Sequence, residues 1–240
     1  MKLRTIAITP ILIAALSGEG RASDVVIGTR GPTSYQLDQR AAYSQNSGSQ
    51  SLTLNTIPKY WTGKESGFWA GANIPYKHTE SSNGLGDVTL FGGPRGTVSA
   101  GGGNFHFLSY IGETLPTGGL MGNSRYDTRV GVHGTYLSAG RRFEADMTAE
   151  YSMTGKERPD EIFGGVLAGG GGKRLRGAAG FTGLRRKDGY TAGLRGVARL
   201  TPPRDNRFHV EFVGDAAVKA KNIRKSRSAA VFLRYNLGKL

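Results

Sequence analysis

Arg142-Phe143-Glu144-Ala145-Asp146-Met147-Thr148-Ala149-Glu150-Tyr151-Ser152-Met153 is the stretch that decides the fold. Its odd-numbered members, Phe143, Ala145, Met147, Ala149, Tyr151 and Met153, are apolar. Its even-numbered members, Arg142, Glu144, Asp146, Thr148, Glu150 and Ser152, are polar or charged. A helix would scatter the two sets around its circumference, whereas a strand puts one on each face. A run of this length is long for a strand of a soluble sandwich, where about 5–6 residues is usual. It suits a tilted strand that crosses a bilayer, which needs about 9 to 11.

The same period recurs outward in both directions. In 207–219, Phe208, Val210, Phe212, Gly214, Ala216 and Val218 oppose His209, Glu211, Asp215 and Lys219. In 190–200, Tyr190, Ala192, Leu194, Ala198 and Leu200 oppose Arg195 and Arg199. Weaker versions extend the series to twelve predicted strands, near 34–43, 48–57, 66–75, 85–93, 104–113, 127–138, 142–153, 160–169, 174–184, 189–200, 207–219 and 228–237. The fold class expected is all-β, an antiparallel transmembrane β-barrel of about twelve strands, with ten as the fallback. Stretches 76–84 and 116–126 read as outer loops, and 58–65 and 94–103 as turns on the side of the termini.

Composition supports this class. The 240 residues include 38 glycines and no cysteine, with 32 basic residues against 18 acidic and a net charge of +14. Glycine is therefore about twice its usual share of roughly 7%, without the period of collagen. Gly in a small barrel relieves crowding and leaves room for side chains on neighbouring strands. A mean hydropathy of -0.35 and the lack of a long apolar run outside the first residues argue against helical spans. Residues 1–22 read as a secretory signal peptide, with Lys2 and Arg4 before an apolar run from Thr5 to Leu16 and Gly20-Arg21-Ala22 before the cut. Residues 23–240 then form one outer-membrane barrel domain with a charge of +12.

Few residues carry an enzyme signature. Gly169-Gly170-Gly171-Gly172-Lys173 is followed by Arg174, and Leu167 stands where a phosphate loop needs its first glycine. His78, His106, His133 and His209 have no local nucleophile or metal-ligand spacing around them. No catalytic role, cofactor or metal is expected. A nucleic-acid role would need basic residues interleaved with an aromatic platform.

The polar faces instead assemble a lumen. Alternation turns Arg142, Glu144, Asp146, Glu150, Arg174, Arg176, Arg195, Arg199, His209, Glu211, Asp215 and Arg234 inward as a mixed-sign network. Opposite charges on adjacent strands would crosslink the interior and narrow the water path, so a small or closed pore is expected. Three basic clusters lie at predicted strand ends: Lys173, Arg174 and Arg176; Arg185, Arg186 and Lys187; and Lys219, Lys221, Arg224, Lys225 and Arg227. They are read as a vestibule for anionic solutes, as a rim for membrane lipid and lipopolysaccharide, or as interfacial anchors.

Two segments carry a family resemblance. Gly84-Leu85-Gly86-Asp87-Val88 is similar to the GLGD-type motif of the outer-membrane family named for the meta-pathway of phenol degradation. Leu115-Pro116-Thr117-Gly118, about 30 residues later, resembles that family's L-P-T-G segment. The resemblance implies a barrel that transports hydrophobic or aromatic compounds, with Gly84, Gly86, Asp87, Pro116, Thr117 and Gly118 as the marked positions. Asp87 is expected to cap a turn or pair with an arginine, and Pro116 to end ladder pairing before a loop. The chain departs from the usual aromatic finish of such barrels, since Tyr235 is followed by Asn236-Leu237-Gly238-Lys239-Leu240. The function expected is passive transport of a small molecule. The alternative is a non-conducting structural or surface-interaction barrel.

Overall fold

The computed structural model describes residues 34–46, 49–63, 65–79, 81–122, 126–154, 160–172, 174–202, 208–223 and 227–238. The signal peptide expected at 1–22 lies outside the described residues, as do Lys173, Arg224 and Lys225. Thirteen strands follow one another: β1 (Ser34–Asn46), β2 (Ser49–Trp61), β3 (Ser66–Thr79), β4 (Asn83–Leu85), β5 (Val88–Ala100), β6 (Gly103–Leu115), β7 (Asp127–Leu137), β8 (Phe143–Thr154), β9 (Glu161–Gly171), β10 (Leu175–Arg186), β11 (Tyr190–Leu200), β12 (Phe208–Lys221) and β13 (Arg227–Gly238). Every strand but β4 pairs antiparallel with a neighbour on each side, and β13 pairs with β1. The sheet is thus a closed twelve-stranded antiparallel barrel, and the short β4 folds back on the end of β3. Closure leaves no strand edge, which is what a sheet needs in hydrocarbon, where unpaired backbone groups find no water.

Ser34 and Gly238 lie at one end of the barrel, the turn end; β4 and the 116–126 connection lie at the other, the loop end. Large apolar side chains cover the outside all the way round, including Phe68, Ile111, Val132, Val166, Phe181 and Val218. A surface this apolar is a membrane-facing surface.

The strands run further than the sequence indicates: in the 76–84 stretch expected as an outer loop, β3 continues to Thr79 and pairs with β4 through Tyr76↔Leu85, Lys77↔Gly84 and His78↔Asn83. Pro58 and Pro94 were expected in turns, yet β2 continues to Trp61 and β5 to Ala100. Both prolines sit at irregularities of the ladder. Pairing of β2 with β3 skips from Thr56↔Ile74 to Lys59↔Gly71, and pairing of β5 with β6 skips from Gly92↔Ile111 to Arg95↔Leu108. Proline has no N–H to give a ladder, so pairing is interrupted beside it while the register on either side stays the same. At the second break the Trp69 indole reaches across β5 and donates to the Ser109 carbonyl at 3.1 Å.

β12 departs from strict alternation. The register of β11 against β12 shifts between Ala192 and Gly193, which leaves Val218 as an extra residue. Lys219, expected on the polar inner face with Asp215, is opposite the outward Ala192. A bulge of one residue turns every following side chain to the other face.

Glycine supplies the room for large inward rings. Gly71 is opposite Phe91, and a Cβ on Gly71 would come within 2.6 Å of that ring. Gly131 is opposite Tyr110, with the corresponding approach 2.4 Å.

Candidate functional site

The lumen has two unlike walls. On β2, β3, β5 and β6 the inward side chains Ile57, Trp61, Trp69, Phe91, Leu108 and Tyr110 form one buried cluster. Trp61 and Trp69 stack with centroids 5.3 Å apart, and Trp69 meets Phe91 at 5.2 Å and the edge of Tyr110 at 6.0 Å. The Arg95 guanidinium lies over Trp61 at 5.3 Å and donates to the Thr62 carbonyl at 3.1 Å and to that of Gly63, so it pins the turn beneath the cluster. Beside this apolar wall three buried polar atoms lack a partner among the described residues: Asn55 Nδ2, Asn73 Oδ1 and Trp61 Nε1.

The other wall is charged and paired. Arg195 Nε donates to Asp215 at 2.5 Å and Arg199 Nε to Glu211 at 2.8 Å, each across directly adjacent strands. Arg176 reaches Glu144 at 2.6 Å over β9, where Gly169 faces Glu144 and no side chain blocks the way. Glu150 accepts from Tyr110 and, at 3.1 Å, from Ser152. His133 contacts Thr148 at 2.8 Å and Thr135 at 3.1 Å, and Thr135 donates to Asp146 at 2.5 Å.

A third group closes the seam between the first and last strands. Asp38, with no exposed surface, accepts from Arg234 at 3.0 and 3.1 Å, from Lys59 at 2.7 Å and from Gln36 at 2.7 Å. Within the charged wall, a cavity of about 40 Å³ is lined by His133, Glu144, Asp146, Phe163, Arg176 and Arg199. That is room for a few water molecules.

Of the inward charges read from the sequence, Glu144, Asp146, Glu150, Arg176, Arg195, Arg199, Glu211, Asp215 and Arg234 lie in these networks, and His209 contacts Thr201 at 2.9 Å. Arg142 and Arg174 do not: both are exposed, beyond the first residues of β8 and β10, where alternation no longer sets direction. His106 contacts Thr97 at 2.8 Å, so the three inward histidines each meet a threonine hydroxyl.

The aromatic wall and the Asp38 group escape a reading by alternation. In β2 the inward Ile57 and Trp61 alternate with the outward Leu54, Pro58 and Tyr60, so both faces are apolar and the polar contrast is lost. Their one signal was that the only two tryptophans, Trp61 and Trp69, flank a single short turn.

At the loop end the two motif segments meet. Asp87 is buried and accepts the Gly118 N–H at 2.9 Å, while the Thr117 hydroxyl accepts the Val88 N–H at 2.9 Å. Gly86 donates to the Pro75 carbonyl at 2.8 Å, and Gly84 adjoins Met121. Pro116 is exposed just beyond the end of β6. The clamp ties β4 and its loop to the 116–122 segment.

The chain matches no protein-family model and no curated protein by sequence. In three dimensions it is similar to an outer membrane channel from Pseudomonas putida F1, with a TM-score of 0.67 and 12% identity over 91% of this chain and 99% of that one. It is also similar to a chain solved in a study of the in-meso crystallization of membrane proteins, with a TM-score of 0.52 and 11% identity over 85% of this chain and 84% of that one. These likenesses establish the fold, an outer-membrane type of closed barrel.

Proposed function

We propose that this protein is an outer-membrane channel for passive movement of a small solute, with the turn end in the periplasm and the loop end outside. The observation that carries the reading is the two-walled interior, with a buried aromatic cluster on β2, β3, β5 and β6 and, across the barrel, a ladder of paired charges that lines a small cavity. Fixed charge pairs exclude hydrated ions poorly matched to them, and the aromatic wall offers apolar contact without desolvating a charge. Asn55, Asn73 and Trp61 hold unpaired polar atoms buried next to the rings, and these serve a polar substituent of a solute once the cluster opens. A hydrophobic or aromatic solute with a polar edge fits these groups, in keeping with the motif resemblance at 84–88 and 115–118.

The narrow cavity and the Asp87–Gly118 clamp describe a closed resting state. Opening then requires the two loops to part, so weakening the clamp raises conductance. Planar-bilayer recording tests this directly. The expected result is rare small openings for the parent protein and more frequent ones for D87A and T117V. Absence of single-channel events in all three, together with no solute uptake into liposomes, would leave the non-conducting structural barrel as the correct reading.

A further inference from the structure

We propose that the membrane-facing surface at the loop end of β10, β12 and β13 binds the phosphates of lipopolysaccharide. The inference is independent of whether the lumen conducts. Arg185, Lys219, Lys221 and Arg227 are exposed there, and none forms an ion pair among the described residues. Register places all four on the outside. Arg185 is opposite the outward Ile162, Lys219 opposite Ala192, Lys221 opposite Tyr190, and Arg227 opposite Ala216.

The bulge at Val218 is what puts the two lysines on this surface. Strict alternation from Asp215 would turn Lys219 and Lys221 into the lumen, among the ion pairs. The register shift between Ala192 and Gly193 instead rotates both toward the membrane, at the expense of a local break in the ladder. The surrounding loops are held in place. Asn222 adopts a left-handed conformation at φ 55° and donates from Nδ2 to the Asp188 carbonyl at 2.8 Å. Gly189 lies so close to Lys221 that a Cβ there would come within 2.3 Å of its carbonyl oxygen.

Chemistry and position together select the partner. Directly below the cations, Phe181, Leu194, Phe212 and Val218 present an apolar surface, with Phe181 72% exposed. Anionic groups bound above would thus be attached to acyl chains packed below. Four strands at about 4.8 Å spacing spread the cations over about 14 Å, wider than a single phosphate. Among the described residues the opposite wall carries an acid near its loop end, Glu113 on β6, which accepts from Thr128 at 2.7 Å. In the proposed orientation the leaflet at this level is the outer one, so the multiply phosphorylated lipid is lipopolysaccharide.

The test uses the full chain folded in detergent micelles, with bound lipid counted by native mass spectrometry. Bisphosphorylated lipid A is expected to bind more tightly than its dephosphorylated form or phosphatidylglycerol. The double variants K219Q/K221Q and R185Q/R227Q should each weaken it about tenfold, while K219R/K221R retains binding. Folding of each variant is checked by heat-modifiable gel mobility, and the single substitutions K219Q and K221Q replace any double variant that does not fold. Equal binding of dephosphorylated lipid A or of phosphatidylglycerol, or unchanged binding by folded glutamine variants, would overturn the proposal. Loss of lipid binding with conductance intact would support it and leave the channel reading untouched.

Discussion

Asp38 is fully buried, and around it Lys59, Arg234 and Gln36 satisfy both carboxylate oxygens. Arg234 is 196 positions away in sequence, so this one carboxylate joins the two ends of the chain. Removing its charge while leaving its shape isolates two buried cations. D38N should therefore destabilise the barrel by about 3–5 kcal/mol. Urea unfolding in detergent micelles measures this, with D38L/K59M/R234M as the control, since replacing a whole buried ion group with apolar residues is often neutral. A D38N barrel as stable as the parent would show that water solvates these cations and that the seam does not depend on them. Arg195, Arg199, Glu211 and Asp215 were placed inward by alternation alone, because their own strand neighbours are apolar. Asp38 was not, since Leu37 and Gln39 beside it offer a weak contrast.

At the scale of elements, the informative places are the irregular ones. Alternation locates all twelve barrel strands because lipid outside and packed side chains inside impose opposite demands on successive residues. It fails where ladder pairing is interrupted or a strand changes phase. The breaks at Pro58 and Pro94 read as turns in a linear sequence, yet pairing on the other side, Leu37↔Pro58 and Phe68↔Pro94, carries the strands through. Across the second break the Trp69 N–H serves the Ser109 carbonyl. W69F keeps most of the ring contacts and removes this donor, so it should cost about 1–2 kcal/mol. The check is a comparison of urea midpoints for W69F and for W69F combined with P94A, where a restored backbone N–H at position 94 can relieve part of the loss. An unchanged midpoint in W69F would mean that the indole bond has no share in holding the break. The bulge at Val218 is likewise invisible in composition, because Val218, Lys219 and Lys221 fit a strand in either phase.

For the molecule as a whole, closure dominates. Strands this rich in glycine and alanine bury little by themselves, and β9 and β10 include long runs of both. They become stable when every neighbour is present, so the barrel should unfold as a unit. The folded chain should migrate faster than the boiled chain on a denaturing gel, and an intermediate band between them would contradict cooperative closure. What the sequence by itself determined is whatever repeats at short range: period-two alternation, strand length, the even strand count and the inward direction of most charges. These follow from neighbours one and two residues apart. The tertiary structure alone decided which inward residues meet. It stacked Trp61 on Trp69, carried Arg176 over Gly169 to Glu144, joined Asp38 to Arg234, clamped Asp87 on Gly118, and turned Lys219 outward. The physical reason is that register and closure are collective. A single skipped residue in one strand changes the face of every residue after it, and no local pattern records on which strand the skip falls.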